Sequence, residues 1–182
     1  LKEVFTRING YARHMFSKST AAQNQPFCLD LHSSANAGEP LVGGKAMHLA
    51  RIGDQMGLPI PDGFVITTAA HEQFIQHNGL RPKIDSVLRA IDLRNSRGLR
   101  DCSTALQETI LQATLPSAVE KEIMSKVALV FEHEGPALRL AVRSSAVGED
   151  GTASFAGQYK SLLNVTDTGL MNAYKAVLAS KY

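Results

Sequence analysis

The chain has 182 residues, of which 44% are hydrophobic and 20% charged, enough for one domain with a real core and too ordinary a composition for wholesale disorder. Its 19 Lys and Arg against 17 Asp and Glu leave a net charge of +2, which makes no electrostatic case for nucleic acid as the main partner. No apolar run approaches the ~20 residues of a membrane span, no secretory leader is visible, and Cys28 and Cys102 lie far apart in no metal-ligand spacing. The cysteines are therefore read as reduced packing residues of a cytoplasmic protein.

In chain order, residues 1–17 place Val4, Ile8, Tyr11 and Met15 on one helical stripe, decorated by Lys2, Arg7 and Arg13. Such a basic amphipathic helix lies either on a membrane or against its own protein, and the second is the expectation here. Residues 19–38 are rich in Ser, Asn, Gln and Ala and read as a connection, with a short ordered piece over 27–31. The first unit is thus a helix and linker over 1–36, followed by a domain over 37–182.

Gly43-Gly44-Lys45 opens a helical pattern in which Leu49, Ile52, Gly53 and Met56 recur on one side and Gly57 is the stop. Pro61-Asp62-Gly63 is a turn, and Phe64 to Thr67 is a short β-branched and aromatic strand expected to be buried on both faces. Thr67 or Thr68 caps a helix that carries Phe74 and Ile75 and ends near Asn78-Gly79. The middle is helical, with stripes at Ile84, Val87, Leu88 and Ile91, at Leu106, Ile110 and Ala113, and at Val119, Ile123, Val127 and Val130. Leu138 to Arg143 returns to a strand, and Tyr159 to Val165 is another, so the polar loop between them closes a hairpin. A last helix puts Leu170, Tyr174, Val177 and Leu178 on one side. Helices and strands mix without a βαβ rhythm, which indicates α+β with a mixed or antiparallel sheet and a helical middle.

Two places concentrate unusual chemistry. At Gly43-Gly44-Lys45, glycines let the backbone approach a ligand, a helix start favours an anion, and Lys45 adds a mobile charge. The spacing is not that of a Walker A loop, and taken alone the segment is either an ordinary helix start or a phosphate contact. At Val142-Arg143-Ser144-Ser145 and the following loop to Gln158, an arginine at a strand end offers a planar fork to phosphate oxygens, and small residues offer backbone N–H groups. The other reading is a solvated hairpin loop with a surface arginine. Glu149-Asp150 is either a Mg²⁺ contact or simply solvated.

In this order, Gly43 to Leu49, Gly57 to Thr68, Val142 to Ala146 and Ala153 to Gln158 resemble one family: the N-terminal nucleotide-binding domain of phosphoenolpyruvate synthases and pyruvate phosphate dikinases. Rifampicin phosphotransferases and glucan/water dikinases share that domain type. The likeness is good over residues 39–99 and 139–182, weak through the helical middle and absent over 1–36. It implies the first lobe of an ATP-grasp domain that binds ATP with Mg²⁺. It implies that Lys45 and Arg143 contact phosphate, that Gly43, Gly44 and Ser144 lie against the nucleotide, and that Thr152, Ala153, Ser154, Phe155 and Gly157 belong to the loop covering the phosphates. It implies that the metal-binding carboxylates, the phospho-accepting histidine and the pyruvate-binding barrel lie in parts of a longer polypeptide, of which both ends of this chain read as cuts. Such a cut would favour self-association. The implied activity is ATP-dependent phosphorylation of pyruvate; the alternatives are a rifamycin- or glucan-type acceptor and a non-catalytic regulatory module. One departure is local: Ala46 stands where the family commonly has another glycine.

Overall fold

The computed structural model describes residues 25–90, 95–146 and 160–182. The first element is β1 (Cys28–Asp30), inside the stretch that the sequence reads as a connection. It falls in the short ordered piece expected over 27–31, and three residues are too few for a period to give its type as strand. A 3₁₀ turn (His32–Ala35) and a four-residue helix α1 (Glu39–Val42) follow. The long helix α2 (Gly44–Met56) then runs to Gly57, whose φ of 62° places it in the left-handed region suited to a glycine stop.

β2 (Phe64–Ile66) pairs antiparallel with β1, Cys28 opposite Ile66 and Asp30 opposite Phe64. Its two faces serve different clusters. Val65 is buried with Leu31, Val42, Ala46 and Met47, while Phe64 and Ile66 pack on the central cluster of Cys28, Ala70, Val119, Ile123, Val127, Leu170 and Tyr174. The expected two-sided burial of this strand follows from that position.

Helices α3 (Thr68–His77), α4 (Leu80–Ala90), α5 (Ser96–Gln112) and α6 (Ser117–Val130) make up the helical middle. Their stripes are core: Phe74, Ile75, Ile84, Leu106 and Ile110 close one cluster, and Val119, Ile123 and Val127 enter the central one. Each such side chain contributes about 1.5–3 kcal/mol on full burial. Ile91, assigned to the first of those stripes, lies outside the described residues, as does the expected helix over 1–17. Thr67 stands at the start of α3, but its hydroxyl does not cap the helix. It donates instead to the Pro26 carbonyl at 2.7 Å and ties β1's approach to the helix.

β3 (Leu140–Arg143) and β4 (Ser161–Val165) form the second antiparallel pair, closing the expected hairpin. Val142 faces Leu162 and Leu140 faces Val165, so β4 carries one extra residue between them. Asn164, at φ 56°, absorbs that bulge, as asparagine tolerates the left-handed region. Helix α7 (Leu170–Ala179) packs on this hairpin through Leu170 and Tyr174. Two small antiparallel sheets among helices make an α+β domain, in line with the sequence reading.

One face is reassigned in part. The stripe of Leu49, Ile52, Gly53 and Met56 is only partly what α2 buries: Leu49 is half-buried against the cluster of Leu31, Val42 and Val65, while Met56 is 68% exposed and Ile52 is exposed. The buried residues are Gly44, Ala46, Met47 and Ala50. Three of these four are Gly or Ala, as close packing against the 3₁₀ turn favours small side chains.

Candidate functional site

The start of α2 is built by a glycine that nothing else could replace. Gly43 has φ 76°, and a Cβ there would lie 1.9 Å from the Ser145 carbonyl oxygen and 2.5 Å from its hydroxyl. Backbone thus presses on backbone across 102 positions, counting 145 − 43. Two hydrogen bonds hold the apposition. The Gly44 amide donates to the Ala146 carbonyl at 3.0 Å, and the Ala46 amide donates to Ser145 Oγ at 2.9 Å.

Those bonds bring the two candidate blocks of the sequence side by side. Lys45 lies between the two donating amides, and Arg143 lies two positions before the accepting serine. Both cationic residues are exposed. Arg143 ends β3 opposite Ser161, on a strand whose Leu140 and Val142 are half-buried while Ala141 and Arg143 are exposed. An arginine on a paired strand projects from a rigid base.

The same bonds change one part of the sequence reading. The amides of Gly44 and Ala46 are already satisfied by the chain itself, so they are not open donors for an anion. What the helix start offers a phosphate is its dipole and the Lys45 side chain. Ala46, the departure from the family's glycine, is buried and packs its methyl group with Leu31, Val42 and Met47. Its Cβ is therefore part of the core and no obstacle to the fold.

Ser144 is placed differently from its neighbours. It is 8% exposed, and among the described residues its enclosed hydroxyl has no hydrogen-bond partner. Thr152, Ala153, Ser154, Phe155 and Gly157, together with Glu149 and Asp150, lie outside the described residues. Among the described residues no group of three or more His, Cys, Asp or Glu side chains could hold a metal ion, so no Mg²⁺ ligand is assigned to them. Ser145 is the residue that sequence reasoning passed over. Two adjacent serines after an arginine do not reveal which one turns inward and which one meets a helix start.

The strongly perturbed groups lie elsewhere. Burial pushes the Cys28 thiol up to about 12, with the Glu122 carboxylate adding to the effect, so it is an inert thiol at neutral pH. The Cys28 amide donates to Glu122 at 2.7 Å, and Lys126 pairs with Asp30 at 2.9 Å, which anchors α6 to β1. Burial lowers His71 to about 3, helped by the charges of Lys181 and Arg81. Lys181 is lowered to about 8 by burial and then by Arg81, beside the Glu72–Arg81 ion pair. These groups belong to packing around α3, α4 and α7.

Residues 39–182 match the model of the pyruvate phosphate dikinase AMP/ATP-binding domain. The chain is similar to a probable phosphoenolpyruvate synthase of Staphylothermus marinus, 39% identical over 129 residues that make up 69% of this chain and 15% of the relative. It is similar to the phosphoenolpyruvate synthase of Neisseria meningitidis, 35% identical over 149 residues, 78% of this chain and 18% of that protein. The rifampicin phosphotransferase of Bacillus cereus is 33% identical over 140 residues, 76% of this chain and 16% of that protein. The chain thus spans less than a fifth of the length of each of these relatives. No helix among the described residues is long and apolar enough to cross a membrane.

Proposed function

We propose a function on the premise that this chain belongs to the family of pyruvate phosphate dikinase AMP/ATP-binding domains. It is the ATP-binding part of a dikinase-type phosphotransferase, built as one lobe of an ATP-grasp arrangement over residues 37–182. Lys45 and Arg143 supply two positive charges to one polyphosphate. The observation that carries this reading is the bonding of Gly44 and Ala46 to Ala146 and Ser145, which makes neighbours of segments that the sequence keeps far apart.

Phosphoryl transfer needs alignment and charge neutralisation more than covalent help. A helix start carrying Lys45 and a strand end carrying Arg143 meet that need from one side. Mg²⁺ and its carboxylates complete the neutralisation from other parts of the whole protein. The transfer passes the β- and γ-phosphates of ATP to a histidine on another domain and releases AMP, moves the terminal phosphoryl group to water or to phosphate, and hands the remaining phosphoryl group to pyruvate in the cytoplasm. A second reading keeps the same ATP chemistry and changes the acceptor. It is motivated by the rifampicin phosphotransferase among the relatives, whose identity is close to that of the synthases.

Each charge-assisted contact is worth about 1.5–3 kcal/mol. Lys45→Ala and Arg143→Ala should therefore each lower ATP-dependent phosphoryl transfer by the whole protein about ten- to a hundredfold. Arg139→Ala is the control, because that exposed arginine donates to the neighbouring Leu138 carbonyl. Wild-type rates in both Lys45→Ala and Arg143→Ala would reject the assignment.

A further inference from the structure

Ordinarily a helix is capped by the residue that precedes it, whose side-chain oxygen accepts from the second or third amide of the first turn. At α2 that residue is Gly43, which has no side chain. The third amide, Ala46 N–H, is nevertheless capped by a serine hydroxyl, from Ser145, 99 positions along the chain. The first amide, Gly44 N–H, is taken by the next carbonyl, Ala146. The cap has in effect moved from the start of α2 to the exit of β3. Gly43 is what permits the move, since a Cβ there would overlap Ser145.

We propose that Ser145 is a positioning residue of the nucleotide site, holding Lys45 in register with Arg143 by capping α2 from the exit of β3. The proposal rests on the reading that those two residues contact the phosphates. A local cap would stabilise α2 equally well and leave only the Gly44–Ala146 bond to tie its start to the exit of β3. A remote cap ties the two. The link runs from Lys45 to the adjacent Ala46 amide, across a 2.9 Å hydrogen bond to Ser145 Oγ, and back two residues to Arg143. So short a link makes this bond, beside the Gly44–Ala146 bond, one of two that set the relative placement of the segments carrying the cations. In this scheme Ser145 acts through its lone pair on the Ala46 amide, whatever its own O–H donates to.

The test is a titration of the whole protein with MgATP, with hydrogen exchange read at the Ala46 amide, comparing wild type, Ser145→Ala, Lys45→Ala and the double variant. Ser145→Cys, close in size but a poor acceptor, is a second removal of the cap should the alanine variant fail to fold. Loss of the cap should speed hydrogen exchange at the Ala46 amide and weaken MgATP binding on the order of fivefold, the size of a typical cap converted to affinity. In the Lys45→Ala background the same loss should change affinity less than about twofold, because Ser145 acts through Lys45. Faster exchange at Ala46 with unchanged MgATP affinity would overturn the positioning role. An equal loss in both backgrounds would also overturn it, by making the effect general destabilisation. If Lys45→Ala alone left affinity unchanged, or wild type gave no response, the nucleotide reading itself would fall and take this proposal with it.

Discussion

Two helices of this domain are capped at the same position by different means. At α5, Asn95 precedes the helix and its side-chain oxygen accepts from the Gly98 amide at 3.0 Å, three residues away. At α2 the equivalent third amide, that of Ala46, is capped by Ser145 from 99 positions away. The first arrangement stabilises a helix. The second stabilises a relation between two segments, and those segments carry the two cationic residues proposed to share a phosphate chain. Similar hydrogen-bond lengths therefore have unequal consequences: one cap serves local structure and the other serves geometry.

The largest effect should come from filling the contact point. Gly43→Ala combines a φ of 76° with a 1.9 Å overlap against the Ser145 backbone. A strained backbone and a displaced neighbour should together cost about 3 kcal/mol or more in urea unfolding, with MgATP binding lost. Gly57 at the other end of the same helix has φ 62°, and a Cβ there would meet nothing within 4 Å, so Gly57→Ala isolates the conformational cost alone. That cost is about 1–2 kcal/mol, with MgATP binding kept. If the two substitutions cost the same, the close approach at Gly43 is not what distinguishes the two ends.

Acid should act on stability away from the α2 start. His71 has a folded-state value of about 3, below its ordinary 6.5, because burial opposes its charge. The unfolded chain takes up the proton first, so this contribution to stability is complete above about pH 6.5 and is lost as pH falls toward 3. Unfolding at pH 5 should be easier by about 2 kcal/mol, and His71→Gln should flatten that dependence. An unchanged slope in that variant would move the acid sensitivity to other groups. The smallest effect is expected at the local cap. Asn95→Ala should cost about 1 kcal/mol of stability and leave MgATP affinity untouched. A loss of affinity there would erase the contrast between the caps.

The legible parts of the fold were those whose signal is periodic or steric. The stripe of Val119, Ile123 and Val127 repeats over a whole helix, and Gly57 and Asn78-Gly79 end helices for reasons that hold in any context. β1 falls where the sequence marks a short ordered piece, but three residues carry no usable period to name it a strand. The inner face of α2 was legible only in part: Leu49 and Gly53 pack inward as expected, but Gly44, Ala46 and Ala50 are selected for closeness while Ile52 and Met56 remain outside. At the site, glycine, lysine and arginine announce a chemistry by their types. Ser145 does not, since its role exists only once two distant segments meet. Likewise nothing in Ser144 foretells that its hydroxyl is enclosed.

The most direct test is to follow the side-chain nitrogens of Lys45 and Arg143 together by ¹⁵N NMR while MgATP is added. Both signals should shift along one binding curve with a shared midpoint, and adenosine, which has no phosphate, should leave them in place. Separate midpoints, or a response from only one of the two, would contradict a common phosphate chain between them.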